Sequence, residues 1–138
     1  MQWDESLSIG VPLIDGQHKE WVQRFNDVAA AVQSGQAPNR IMETLDFLSE
    51  YTQFHFEAEE RCMADHHYPE LDEHKQRHQE LRQTLKQLEV DFDEEGVAPT
   101  LARAIDTLLS KWLVRHIREV DQRLGTFLKE RGIVVSQS

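Results

Sequence analysis

The stretch YTQFHFEAEERCMADHHYPELDEHKQRH, from Tyr51 to His78, decides the fold of this chain and the kind of site it builds. It contains two pairs of metal-binding residue types at a spacing of four positions: His55 with Glu59, and His74 with His78. Because four residues make about one turn of an α-helix, the members of each pair share a helical face. The dipeptide Tyr68-Pro69 lies between the pairs and predicts a break between two helices. We therefore expect two antiparallel helices that present these pairs to each other inside a helical bundle.

Apolar residues on both sides of this stretch recur at intervals of three and four, which predicts further amphipathic helices. Asp15 is a candidate N-cap for the first helix, and an acidic loop is expected at Asp91–Gly96 before the last one. Short connections between helices favour antiparallel neighbours. The predicted fold is all-α, an antiparallel up-down-up-down four-helix bundle with an irregular N-terminal arm. Its helices are expected at about residues 17–33, 40–64, 69–90 and 99–131.

The chain has 138 residues, which is the length of one ordinary domain. Trp3, Ile9 and Ile14 are expected to attach the arm to the bundle by burying their side chains. The end of the chain is expected to be loose, as chain termini often are. The predicted organisation is a single domain over residues 1–138, with an arm at residues 1–16 and a tail at residues 132–138.

The formal net charge of −10 disfavours nucleic acid and anionic lipid as partners, because clustered Lys and Arg are needed to bind either. The sequence shows no apolar run of the length that a membrane span needs and no pattern of a signal peptide, so membrane insertion is not expected. The one cysteine, Cys62, cannot form an internal disulfide and fits a reducing compartment. We expect a cytoplasmic protein.

A set of histidines and carboxylates falls on the inward faces of the predicted helices. Imidazoles combined with carboxylates suit first-row transition metals such as iron, whereas calcium and magnesium sites use oxygen ligands almost exclusively. The set exceeds what one metal usually takes from a protein, so two metals bridged by the two carboxylates are the natural arrangement. Its members are His18, His55, Glu59, His74, His78, His116 and Asp121.

A structural interpretation competes with the metal-binding one for each of these residues. A single histidine on a helix face is more often a hydrogen-bonded core residue than a ligand. Burying five imidazoles and a carboxylate without a metal, however, leaves many polar groups to satisfy, at a cost of about 1 to 3 kcal/mol each. The complete set therefore favours metal binding.

The sequence resembles the hemerythrin family, in particular its single-domain bacterial members, over nearly the whole chain. Single H-x-x-x-E or H-x-x-x-H pairs occur by chance in charged helices, but the combination of spacings is specific. Gly16 and Trp21 depart from the acidic residue and leucine that the family often has, so the pocket is expected to differ in shape. The resemblance is carried by Trp3, VPLIDGQHKEW (11–21), FHFEAEERCM (54–63), HYPELDEHKQRH (67–78) and HIREVD (116–121).

The resemblance implies reversible O2 binding at two iron ions, a non-haem di-iron centre with an oxo or hydroxo bridge. It implies one role for each of three groups of residues: a filled iron held by His74, His78 and His116; an iron with one open position for O2 held by His18 and His55; and carboxylate bridges from Glu59 and Asp121. The protein partner that would receive or supply O2 is unknown.

The spacing of His116 and Asp121 does not suit a regular helix. The two residues are five positions apart, which corresponds to about 140° around an α-helix, so both cannot point inward. We therefore expect a local π-helical widening between them, a distortion that often marks functional sites.

Other residues near the site have simpler interpretations. His66 and His67 are expected to be exposed in the turn between the second and third helices, and not to be ligands. Cys62 and Met63 are expected to pack in the core, with a thiol ligand at Cys62 left open. The aromatic candidates for an apolar O2 pocket, which also suit ordinary core packing, are Trp21, Phe25, Phe56 and Trp112.

The preferred function is O2 binding for carriage, storage, delivery or sensing, and not catalysis. One alternative is a di-iron redox enzyme acting on O2, nitric oxide or peroxide. The E-x-x-H motifs of ferritin-like di-iron proteins are absent from the sequence, which counts against that alternative. Another alternative is a metal-scavenging protein or a zinc-filled structural module.

Overall fold

The computed structural model describes residues 2–135, and no strand occurs among them. The helix α1 spans Pro12–Gln33, α2 spans Pro38–Asp65 and α3 spans Leu71–Glu95, while a short 3-10 helix lies at Glu5–Leu7 in the arm. The fourth helix, α4, is a succession of α-helical, π-helical, π-helical and α-helical segments at Ala98–Thr107, Leu108–Leu113, His116–Asp121 and Gln122–Glu130. Helix α1 contacts α2 and α4, and α3 contacts α2 and α4, which closes a four-helix bundle and confirms the predicted fold class.

Helix α1 begins at Pro12, five residues before the predicted start at Gln17, so the prediction of Asp15 as its N-cap was wrong. Proline suits the first helical position because its missing N–H would have no partner there, and a single glycine does not stop a helix. The Asp15 carboxylate has another role. It accepts hydrogen bonds from the Ser8 hydroxyl at 2.6 Å and from the Ile9 backbone N–H at 2.8 Å, and so ties the arm to the first turn of α1.

Helix α3 continues through the acidic segment that was predicted to be a loop. It ends at Glu95 and is capped by Gly96, which has the left-handed conformation, with φ at 65°, that glycine adopts without strain. Gly96 donates its backbone N–H to the Phe92 carbonyl, and Phe92 is buried. The apolar contact of Phe92 therefore keeps this last turn helical despite its acidic neighbours.

The inward face of α4 shifts after Ile105. Regular helical spacing of three and four residues would turn Leu108 and Trp112 towards the core, but both are only partly buried, while Leu109 and Leu113 are buried. The π-helical segment Leu108–Leu113 is the cause, because a wider turn rotates the following residues relative to a regular helix. Sequence periodicity did not reveal this distortion.

The arm covers the end of α4 and reaches the core. Ile9 is fully buried, Ile14 is buried and Trp3 packs against the core from a partly exposed position, as predicted. In the predicted tail, Ile133 and Val135 pack against the core, while residues 136–138 lie outside the described residues. None of the helices described combines the length and apolar character that a membrane span requires.

Replacing Gly125 by alanine should destabilise the protein, because a Cβ atom there would lie 2.6 Å from the carbonyl oxygen of Ile9. The close approach of backbone to backbone leaves no flexible side chain that could move aside. We expect a loss of about 1 to 3 kcal/mol in the free energy of unfolding. Chemical denaturation of the two proteins measures it.

Gly16→Ala is the matched control, since nothing lies within 4 Å of the position of its added Cβ and the residue is in α1. This substitution should raise the free energy of unfolding by about 0.4 to 1 kcal/mol. A Gly125→Ala protein as stable as the Gly16→Ala protein would contradict the tight docking of the arm.

Candidate metal centre

The seven candidate ligands come from all four helices and meet in the core of the bundle. Each is buried, and the most exposed of them, His116, is only 4% accessible. Helix α1 contributes one of them, and each of the other helices contributes two. In chain order they are His18 on α1, His55 and Glu59 on α2, His74 and His78 on α3, and His116 and Asp121 on α4.

The seven side chains form two groups that share both carboxylates. Within each group the potential ligand atoms lie within 4.8 Å of one another. One group has three histidines and the other has two, so the centre is asymmetric. The groups are His74, His78 and His116 with Glu59 and Asp121, and His18 and His55 with the same two carboxylates.

The two oxygens of Glu59 face different groups. Oε1 lies 2.6 Å from His74 Nε2 and 3.1 Å from His78 Nε2. Oε2 lies 3.1 Å from His55 Nε2 and 3.7 Å from His18 Nε2. One carboxylate therefore presents one oxygen to each group, as a bridge between two metals requires.

Asp121 divides its oxygens in the same way. Its Oδ1 lies 3.0 Å from His74 Nε2 and 3.3 Å from His116 Nε2, whereas its Oδ2 lies 3.0 Å from His18 Nε2. The carboxylate is fully buried because the segment His116–Asp121 is π-helical, which confirms the distortion predicted from the spacing. A wider turn allows both ends of this segment to face the core.

The polar atoms at this centre fit a metal better than a set of mutual hydrogen bonds. Among the described residues, nine buried side-chain nitrogens and oxygens have no hydrogen bond, and all belong to six of the seven candidate ligands. The Nε2 atoms of His18, His74 and His116 are among them, although each lies close to a carboxylate oxygen. Buried polar groups without partners are rare in native proteins, and an ion is one of the few explanations for a whole cluster of them. The mixture of imidazole and carboxylate donors matches iron and related transition metals.

Comparison with known proteins also indicates a cation-binding domain. Residues 9–128 match the family model described as the hemerythrin HHE cation binding domain. The chain belongs to the hemerythrin family.

The chain is also similar to individual hemerythrins. It is 31% identical over 127 residues to a bacteriohemerythrin of Stenotrophomonas maltophilia, which covers 92% of this chain and 80% of the relative. It is 33% identical over 119 residues to a bacteriohemerythrin of Pseudomonas aeruginosa, covering 86% and 75%. A myohemerythrin of Theromyzon tessulatum is 28% identical over 120 residues, covering 87% of each chain. The similarity thus extends over most of this hemerythrin and includes all four helices.

The two carboxylates of this hemerythrin are ionised at neutral pH. Burial alone would raise the pKa of Glu59, but His55 and His74 outweigh this effect and hold the pKa well below its usual range. Burial and the charge of Glu59 both raise the pKa of Asp121, and the nearby His116 and His18 more than compensate, so that this pKa is also lowered. Two anionic carboxylates are therefore available to cations.

The histidines divide into two classes by their electrostatic environment. Burial lowers the pKa of His18, but the carboxylates of Asp121 and Glu59 dominate and raise it to about 9. The same opposition raises the pKa of His74 to about 10. For His55 and His116 burial dominates, and their pKa values are lowered. His18 and His74 must therefore lose protons before a metal can bind, which makes metal affinity depend on pH.

Two partners of these histidines were not predicted from the sequence. The Nδ1 atom of His55 lies 2.7 Å from the amide oxygen of Gln17, and that of His78 lies 2.7 Å from Oε2 of Glu60. Partial burial raises the pKa of Glu60, yet hydrogen bonding from His78 and the charge of Arg82 outweigh it and keep the pKa below its usual value. Their only sequence signal was proximity: Gln17 precedes His18, and Glu60 follows Glu59.

Aromatic side chains enclose the centre. Trp21 and Phe56 are fully buried, and their ring centroids lie 4.9 and 6.0 Å from that of His55. The Trp21 indole donates a hydrogen bond of 2.9 Å to the Thr52 hydroxyl, which fixes its orientation. Trp112 stacks on His116 with centroids 4.6 Å apart. An apolar wall therefore lies beside the histidines of both groups.

The remaining candidates lie outside the two groups. Cys62 is buried but belongs to neither group, and burial raises its pKa to about 11. Met63 is fully buried in the core. His67 is exposed and His66 is partly buried, and neither is part of a group. The structure therefore favours core packing for Cys62 over the alternative of a thiol ligand.

Cys62→Ala should leave metal binding unchanged, because the ligand set is complete without the thiol. Wild-type and variant proteins loaded with iron under identical conditions should contain equal amounts of metal by elemental analysis. Loss of one metal equivalent in the variant would make the thiol a ligand. A variant that is less stable but retains its metal would agree with a packing role, since the side chain is buried.

Proposed function

We propose that this protein binds O2 reversibly at a non-haem di-iron centre, the function that membership of the hemerythrin family implies. The observation that carries the proposal is the unequal division of histidines, three against two, around two shared carboxylates. If each carboxylate supplies one oxygen to each iron, the first group provides five donors and the second provides four. The second iron would then have one more coordination position for an external ligand than the first iron.

The proposed ligand assignment follows from the two groups. Glu59 and Asp121 would bridge the irons, and their divided oxygens support this role. Together with the exogenous bridge that the family resemblance implies, the donors would fill one iron and would leave one position open at the other. The filled iron would be held by His74, His78 and His116, and the open one by His18 and His55.

Buried apolar side chains around the proposed centre exclude water from it. Two ferrous ions held at this centre would supply the two electrons that O2 accepts on binding. Fully buried apolar groups such as Trp21 and Phe56, whose ring centroids lie 4.9 and 6.0 Å from that of His55, keep water away from the histidines, and exclusion of water opposes further reduction or loss of the bound ligand. No group that would orient an organic substrate is required, so we propose binding and not catalysis.

The physiological role, location and partners of the protein are part of this proposal. Carriage, storage, delivery and sensing of O2 all use the same centre, and the chemistry of the site does not select among them. We propose a cytoplasmic location, which the buried and unpaired thiol of Cys62 supports, and we propose that neither nucleic acid nor a membrane is a partner, which the net charge of −10 supports.

The test of this function combines metal analysis with visible spectroscopy. The purified protein should contain two irons per chain, and the reduced, colourless protein should gain a visible absorption band on exposure to O2 and lose it on removal of O2 over repeated cycles. Irreversible conversion with turnover of O2, nitric oxide or peroxide would establish the redox-enzyme alternative instead. A protein that holds zinc and shows no visible band would establish the structural or scavenging alternative.

His74→Ala should abolish this reversible change, because the imidazole lies close to both carboxylates, 2.6 Å from Glu59 and 3.0 Å from Asp121. We expect iron content to fall by at least one equivalent per chain. His66→Ala is the matched control, since it removes an imidazole outside the two groups and should keep both irons and the spectral change. Equal iron contents in the two variants would contradict the ligand assignment.

Trp21→Leu should accelerate autoxidation of the O2 adduct several-fold, because the smaller side chain opens a path for water to His18 and His55. The hydroxyl of Thr52 still donates to the Leu48 carbonyl, so the substitution leaves this buried hydroxyl with a hydrogen-bond acceptor. Phe54→Leu, at a side chain that is 51% exposed, is the control and should autoxidise at the wild-type rate. Identical rates for the three proteins, followed by the decay of the visible band in air, would refute the shielding role.

A further inference from the structure

The His78 imidazole is held from behind by a charged network. Its Nδ1 atom lies 2.7 Å from Oε2 of Glu60, and the same oxygen accepts a hydrogen bond of 3.0 Å from Nη2 of Arg82. The Nε of Arg82 donates to the Gln53 amide oxygen at 2.8 Å, which fixes the guanidinium. His78 Nε2 points to the centre, 3.1 Å from Glu59. The geometry selects the tautomer in which Nδ1–H donates to Glu60 and Nε2 is free for a metal.

Packing holds this network in place. The ring of Phe56 stacks on His78 with centroids 3.7 Å apart and planes inclined by 6°. The Arg82 guanidinium lies 5.1 Å from the centroid of the same Phe56 ring. The side chain of Glu60 is 17% exposed and that of Arg82 is 23% exposed, so solvent screens their interaction only in part. The carboxylate is therefore a fixed negative charge directly behind His78.

The His55 imidazole has a different partner. Its Nδ1 atom lies 2.7 Å from the amide oxygen of Gln17, and its Nε2 faces Oε2 of Glu59. The distance equals that at His78, and the tautomer is the same, but the acceptor is an uncharged amide. In contrast, the Nδ1 atoms of His18 and His74 have no hydrogen bond among the described residues. The chain therefore supports one histidine of each group, one with an anion and one with a neutral group.

These two partners have unequal effects on a bound metal. A carboxylate that accepts the N–H of a metal-bound imidazole increases electron donation from the opposite ring nitrogen, while also fixing the orientation of the ring. An amide oxygen fixes the orientation and adds no charge. Negative charge near a metal favours its higher oxidation state and tighter binding of the cation. The group with three histidines is thus the one with a carboxylate behind one of its histidines, and Arg82 balances only part of the negative charge of that carboxylate.

Given the ligand assignment proposed above, we infer that Glu60 and Gln17 are positioning residues that make the two metals unequal. Glu60 strengthens the three-histidine site through His78 and stabilises ferric iron there. Gln17 orients His55 but leaves the two-histidine site the weaker donor set. The side of the centre that receives O2 is consequently the side with the lower electron donation.

Cobalt(II) binding to the metal-free protein tests this inference without iron or O2. Titration in competition with a chromophoric chelator, read from the cobalt absorption bands, should give two unequal affinities for the wild type. Glu60→Gln, which keeps the size and an acceptor, should lower the higher affinity by roughly 10- to 100-fold. Gln17→Glu, the reciprocal change, should raise the lower affinity. Glu50→Gln, an exposed carboxylate on the same helix, should leave both affinities unchanged.

The midpoint potential of the iron-loaded protein is a second readout. If Glu60 and Gln17 had only a structural role, the two substitutions would not shift this potential in opposite directions. Glu60→Gln should raise the midpoint potential of the centre, and Gln17→Glu should lower it, while circular dichroism verifies that both variants remain folded. Unchanged cobalt affinities in both variants would overturn the inference. Weaker binding in Gln17→Glu would also overturn it, because the partner would then act by shape alone.

The outcomes also separate this inference from the proposed function. A wild-type protein that binds fewer than two cobalt ions would refute the two-metal centre and the inference with it. Two cobalt ions bound by the wild type, with no difference among the variants, would refute only the roles of Glu60 and Gln17.

Discussion

The burial of two carboxylates among five imidazoles is the constraint on which the rest of the structure depends. Glu59 and Asp121 are each at most 1% exposed, and their neighbours hold both in the ionised form. An isolated buried carboxylate is strongly destabilised, so the centre requires cations, and a pair of metal ions bridged by the carboxylates is the arrangement that the divided oxygens favour. The bundle supplies the position, because histidines from four helices must converge on the same two side chains.

This constraint explains the irregular features of the fold. Regular α-helix would turn Asp121 away from His116, so α4 widens into a π-helix at that point. The arm closes the end of the bundle over this helix, with Ile9 against Gly125 and the Asp15 carboxylate holding Ser8 and Ile9. The π-helical turn at His116–Asp121 therefore lies where the candidate site requires it, while α1, α2 and α3 present their candidate ligands from regular helix.

Much of this could be predicted from the sequence because the relevant signals are local. The helical periodicity, the break at Tyr68-Pro69 and the awkward spacing of His116 and Asp121 are all visible within a few turns of chain. The π-helical segment Leu108–Leu113, the length of α3 and the early start of α1 were missed, because packing of buried side chains such as Phe92 and Leu109 overrides local signals. Gln17 and Glu60 were missed as partners of His55 and His78 because a hydrogen bond between helices has no sequence signature. The ligand roles of the seven residues stay a prediction.

The most direct test of the central claim is an anomalous diffraction measurement at the iron absorption edge on crystals of the iron-loaded protein. The account predicts two anomalous peaks, about 3.5 to 4 Å apart. One oxygen of Glu59 and one of Asp121 should bind each of the two ions, with three histidines on one ion and two on the other. A single peak, or a carboxylate that contacts only one of two ions, would contradict the account.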